Sequence, residues 1–193
     1  MEYKVLTKED IQQANDYVNI TDKMEFVTNV AMRCFDTMTI GGKSDNVTGI
    51  IDVPPMYKEN LDRKSRYLMG AFAKFYLNAG FETEDENDEW LMSVPDYDYW
   101  QGGHVMNQID RFKSDAELRN KCFDIISDYK DIEKKLNAEI FGLLHAMNDS
   151  VSRLVVSIES SSTPQSLQKG MEQLEAAKKK LDEYTKARGE TNE

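Results

Sequence analysis

The chain has 193 residues, enough for one ordinary domain or for a compact domain with a helical extension. Hydrophobic residues make up 40% and charged residues 31%, a balance that suits long two-faced helices with much exposed surface. The formal net charge is −11, and a field of that sign repels DNA and RNA phosphates, which excludes direct nucleic-acid binding and favours a basic protein surface instead.

The charge is uneven. Residues 1–113 carry 12 basic and 20 acidic side chains, and residues 114–193 carry 12 and 15. The N-terminal part therefore holds the negative field. No apolar run approaches the roughly 18 residues that span a bilayer, and no signal pattern opens the chain, so a cytoplasmic protein without membrane contact is expected. Cys34 and Cys122 occupy apolar helical positions with no CxxC or Cys/His spacing. They read as small core residues, and no metal or other cofactor is expected.

Thr7 predicts the cap of a first helix, with Asp10 reaching back to it and Leu6 and Ile11 forming a hydrophobic staple. A second helix is expected from about Asp22, with Glu25 at its capping-box position and Val27, Val30, Ala31 and Cys34 on one face. Residues 39–55 combine turn formers with a β-branched run, Val47 to Val53, and predict a surface loop or small hairpin. A third helix is expected from about Pro55 to Asn78, closed by Gly80. From residue 67 onward it is apolar nearly all round, which places it at the centre of a core.

Residues 82–89 then hold six carboxylates: Glu82, Glu84, Asp85, Glu86, Asp88 and Glu89. Such a run is solvated or meets a basic partner. Trp90, Leu91 and Met92 dock the chain back onto the core. Pro95 opens another helix with Asp96 and Asp98 in its first turn, and Gly102-Gly103 predicts a break within it. Ser114-Asp-Ala-Glu117 reads as a capping box for a long helix. There Leu118, Cys122, Ile125, Tyr129, Ile132, Leu136, Ile140, Leu143 and Met147 follow one another in a heptad seam with one extra four-residue step. Asn148-Asp149-Ser150 predicts a kink. Thr163 and Pro164 open a last helix on a second heptad track. The fold expected is mainly α. An acidic helical body, 1–113, carries a small insertion at 39–55, and a long antiparallel helical hairpin follows over 114–193.

No motif carries catalysis. Gly42-Lys43-Ser44 lacks the earlier glycine of a phosphate-binding loop, since Thr37 stands there. His104 and His145 have no ligand-spaced companion. Asp96 and Asp98, two apart on a helix, do not converge, and no GxSxG exists. The protein is therefore expected not to be an enzyme. The candidate partner-binding residues are Glu82, Glu84, Asp85, Glu86, Asp88 and Glu89. Leu118, Ile125, Tyr129, Ile132, Leu136 and Leu143 form the candidate seam for a hairpin or homodimer.

Pro54-Pro55-Met56-Tyr57, Lys64-Ser65-Arg66-Tyr67-Leu68-Met69, and Tyr97-Asp98-Tyr99-Trp100 through Lys113-Ser114-Asp115 resemble small uncharacterised proteins of prophages and mobile elements of gut Firmicutes, over most of residues 1–150. Such elements carry anti-defence genes, including small acidic inhibitors of CRISPR nucleases. The resemblance implies a non-enzymatic inhibitor in the cytoplasm of a host bacterium, directed at a basic surface of a nucleic-acid-handling protein or ribonucleoprotein. The alternatives are an assembly protein that oligomerises through its heptads and an enzyme with a dispersed site.

Overall fold

The computed structural model describes residues 2–38 and 56–159, with side chains as far as residue 153. Its elements are α1 (Lys8–Gln13), α2 (Ile20–Ala31), a 3-10 turn (Met32–Cys34), β1 (Phe35–Met38), β2 (Met56–Glu59), α3 (Leu61–Phe75), α4 (Val94–Gly102), α5 (Val105–Phe112) and α6 (Arg119–Glu159). The protein is mainly helical, with β1 and β2 paired as a small antiparallel sheet. The expected insertion at 39–55 and the last helix from Thr163 lie outside the described residues. Two compact units emerge, Met1–Asp36 with Glu59–Gly142, and the described parts of Thr37–Lys58 with Leu143–Glu193. In this division α6 as far as Gly142 belongs to the first unit.

In that unit α3 is the centre. Residues 66–73 and Tyr76 are all buried, as the all-round apolar pattern requires. Phe26, Val27 and Val30 of α2 are buried, as are Cys122, Ile125, Ile132 and Leu136 of α6. The rings interlock. Phe72 stands edge-on to Tyr129 at 5.5 Å, and Phe26 meets Phe75 edge-on at 5.9 Å. The heptad seam of α6 is thus spent on the body up to Ile140.

One carboxylate ties three helices together. Asp128 of α6 accepts from the Val18 amide at 2.9 Å and from the Tyr76 hydroxyl at 2.8 Å, and it pairs with the Lys23 ammonium of α2. Lys23 also reaches Asp131 at 3.2 Å. Burial opposes the Lys23 charge, but the two carboxylates outweigh it and hold its pKa above the ordinary lysine value.

Local punctuation is partly as expected. Thr7 and Asp10 form the capping box, and Leu6 and Ile11 are both buried beside it. Helix α2 starts earlier than Asp22: Asn19 is its cap, accepting from the Asp22 amide at 2.9 Å. Helix α3 starts not at Pro55 but after Asn60, whose amide donates to the Cys34 carbonyl at 2.7 Å while its side chain accepts from the Arg63 amide. That pairing keeps residues 56–59 extended. The left-handed residue after α3 is Asn78, with φ of 49°, not Gly80. The Ser114/Glu117 box does not form either. The Ser114 hydroxyl donates to the Arg111 carbonyl, Glu117 pairs with Lys8 at 2.9 Å, and Asp115 accepts from the Glu117 amide in a turn ahead of α6. The helix does break at Gly102-Gly103, with His104 left-handed at φ of 50°, and Gly103 also allows a close approach. A Cβ at Gly103 would stand 2.1 Å from the Lys4 carbonyl oxygen, where the N-terminal segment crosses the corner between α4 and α5.

In the second unit α6 continues as helix through residues 148–150. Asn148 instead reads the backbone of Tyr57: its Oδ1 accepts from the Tyr57 amide at 3.0 Å, and its Nδ2 donates to the Tyr57 carbonyl at 3.1 Å.

Removing one side of the Asp128 network leaves a buried charge without its partner. Lys23→Ala and Asp128→Ala are each expected to cost about 3–5 kcal/mol in urea unfolding, and the double variant clearly less than the sum.

Candidate functional site

After α3 the chain folds back on itself through the acidic run. Thr83 and Met92 form an antiparallel bridge, with the Glu84 amide donating to the Leu91 carbonyl at 3.0 Å and the Ser93 amide to the Glu82 carbonyl at 2.8 Å. Between these bonds the loop turns on its own side chains. Asp85 Oδ1 accepts from the Asn87 amide at 2.9 Å, and Asp88 Oδ1 accepts from the Trp90 amide at 3.2 Å. Both are turns that aspartate favours, because its short side chain can bond the backbone two residues on.

Anchors hold this loop on α3. Arg66 is 5% exposed and spends its guanidinium on Glu84, on Asp62 at 3.1 Å and on the Met92 carbonyl at 3.1 Å. Asp88, 6% exposed, accepts from the Tyr67 hydroxyl and pairs with Arg33 at 2.7 Å. Trp90 lies against Phe26 at 5.1 Å and Phe75 at 4.9 Å, with the Lys74 ammonium 4.7 Å from its ring centre. Its carbonyl rests on Gly70, where a Cβ would stand 2.3 Å from that oxygen.

The charges of the cluster are fixed. Burial works against ionised Asp88, yet the Tyr67 hydroxyl and Arg33 hold its carboxyl below the usual aspartate value. Burial, followed by Asp88, pushes the Tyr67 phenol far up. Asp88 also holds the Arg33 guanidinium more firmly protonated. The nearby Cys34 thiol is pushed up by burial to about 12.

An open cleft of about 770 Å³ runs along the loop. Arg33, Arg63, Tyr67, Phe35, Leu91 and residues 84–88 line it. The six carboxylates therefore divide. Glu84 and Asp88 anchor the loop, and Glu89 pairs with Lys74 at 3.0 Å. Glu82, Asp85 and Glu86 are exposed, and no cation pairs with them among the described residues.

The candidate seam is not a single surface. Leu118, Ile125, Ile132 and Leu136 are buried, Tyr129 is half-buried against Phe72 and Tyr76, and Leu143 lies in the second unit. Asp96 caps the site from outside, accepting from the Glu82 amide at 2.6 Å, whereas Asp98 and His104 are exposed. Among the described residues no group of three His, Cys, Asp or Glu side chains converges as metal ligands, and no helix is long and apolar enough to cross a membrane. Sequence reasoning missed Arg33, Arg63, Arg66 and Tyr67. Arg66 left a signal: a cation at the edge of the most apolar stretch of the chain needs a carboxylate, and the dense run begins sixteen residues later, at Glu82.

No family model, no curated protein and no solved structure matches the chain.

Gly70→Ala is expected to cost about 1–3 kcal/mol, because the backbone oxygen of Trp90 has no room to give. Amide exchange over residues 85–90 should accelerate beyond that of α3. Tyr67→Phe should cost about 1–3 kcal/mol and move the Asp88 carboxyl upward, read by NMR titration. Because the folded value of Asp88 lies below its unfolded one, its contribution is present above about pH 4 and fades as pH falls further. Tyr67→Phe should therefore flatten the acid limb of the stability curve.

Proposed function

We propose that the protein is a non-enzymatic binding protein whose anchored acidic loop docks on a basic surface of a nucleic-acid-handling complex and blocks it. The observation that carries this reading is the division of labour among the carboxylates. Glu84 and Asp88 are spent on anchoring the loop, so Glu82, Asp85 and Glu86 stand exposed and without a paired cation among the described residues, on a loop that is already ordered. A preformed loop gives up little conformational entropy on binding, and exposed carboxylates at close spacing match a surface built for phosphates. The fixed protonation of Asp88, Arg33 and Tyr67 suits recognition by a set charge pattern better than proton transfer. The resemblance to proteins of prophages and mobile elements favours a target in bacterial host defence and a cytoplasmic setting. A homodimer through Leu118, Ile125, Ile132 and Leu136 would have to open the core that these residues fill.

Glu82→Gln/Asp85→Asn/Glu86→Gln leaves every anchor in place and removes the exposed charge. Immobilised wild type should capture a nucleic-acid-handling complex from host lysate, and added nucleic acid should compete it off. The triple variant should lose that capture while melting at the wild-type temperature. Capture undiminished by the triple change would overturn the charge-based mechanism.

A further inference from the structure

A second opening of the first unit is independent of the acidic loop. A groove of about 500 Å³ lies between the start of α2 and the N-terminal part of α6. Its lip is apolar: Tyr17 is 63% exposed and Ile20 53%, and Met24, one turn along α2, is 43% exposed. Apolar side chains that cluster and stay in water mark a contact surface more often than isolated ones do. The groove is lined by four carboxylates and one ammonium. Lys23, Asp128 and Asp131 satisfy one another at its floor. Asp16 and Asp124 are exposed at its edges, and no cation pairs with either among the described residues.

The groove is built rather than incidental. The segment that displays Tyr17 is tied down on both sides. The Asn15 amide donates to the Tyr76 carbonyl at 2.8 Å, its side chain donates to the Phe75 carbonyl at 2.8 Å, and the Val18 amide donates to Asp128. With the Lys23 ammonium also 5.0 Å from its ring centre, Tyr17 is held in place before any partner arrives, the condition under which an exposed tyrosine contributes most to binding.

We propose that this groove docks a basic amphipathic segment of a partner protein, with an apolar side chain on Tyr17 and Ile20 and a lysine or arginine toward Asp16 and Asp124. Charge complementarity selects that occupant. A second copy meeting the groove through the same face would set Asp16 and Asp124 against their own equivalents, which like-charge repulsion opposes. A basic amphipathic helix brings the opposite sign on one side and apolar residues at the matching spacing on the other.

The probe is a labelled peptide of leucine and lysine at helical spacing, followed by fluorescence anisotropy with the full chain. Wild type should bind it, and Ile20→Ser and Asp16→Asn/Asp124→Asn should each weaken binding about tenfold without lowering the melting temperature. Glu82→Gln/Asp85→Asn/Glu86→Gln should leave binding within about twofold, which separates this groove from the acidic loop. A leucine–glutamine peptide should bind far more weakly. Absence of binding by wild type, loss only in the loop variant, or equal binding of the uncharged peptide would each overturn the proposal. So would Ile20→Ser abolishing a concentration-dependent dimer while leaving peptide binding intact, which would assign the groove to a second copy.

Discussion

Asp128 is the constraint on which the first unit turns. A carboxylate largely shielded from water at the floor of a groove is costly to desolvate, and its oxygens are taken by an ammonium, a phenol and a backbone amide. Each of those partners comes from a different part of the chain. Lys23 fixes α2 against α6, Tyr76 fixes the end of α3, and Val18 fixes the turn before α2. The aromatic contacts among Phe72, Tyr76 and Tyr129 then fill the space that this geometry leaves. Apolar burial supplies most of the driving force, but it is not directional. The Asp128 bonds determine which of many apolar arrangements is the native one.

The acidic loop shows the same logic at the surface. Six carboxylates in a short span repel one another, and left alone they would keep the segment extended in water. Two of them reverse that tendency. Glu84 finds Arg66, and Asp88 finds Arg33 and Tyr67, so part of the repulsive run supplies its own restraint. Small residues matter as much as charges here. Gly70 lets the Trp90 backbone come down onto α3, and without that approach the indole would not reach Phe26 and Phe75.

Much of the helical architecture was legible in the sequence because it depends on local rules. The Thr7 cap, the burial of α3 and the Gly102-Gly103 break follow from spacing and residue type alone. Reading failed where a distant partner decided the outcome. Ser114-Asp-Ala-Glu117 has the form of a capping box, but Lys8, over a hundred residues away, claims Glu117. Pro54-Pro55 looks like a helix start, but the Asn60–Cys34 bond holds the following residues in a strand. The acidic run was visible as a patch of charge. Its division into anchors and exposed groups was not, since that depends on which carboxylates lie beside Arg66 and Tyr67 after folding.

The hydrogen bonds that close the first unit also impose an order of events during synthesis. Leu6 bonds Gln108, Lys8 bonds Asp115, and Val18 and Lys23 bond Asp128, each pair more than a hundred residues apart. The first of these bonds must wait for α5 and the last for α6 to leave the ribosome, so α1 and α2 emerge with their apolar faces unpaired until most of the unit is made. Such long-range closure slows folding and exposes the nascent segment to chaperones in the meantime. A chain cut before α6 would hold every residue of the acidic loop and its anchors but would lack Asp128 and Tyr129, which join α2 and α3 from the other side.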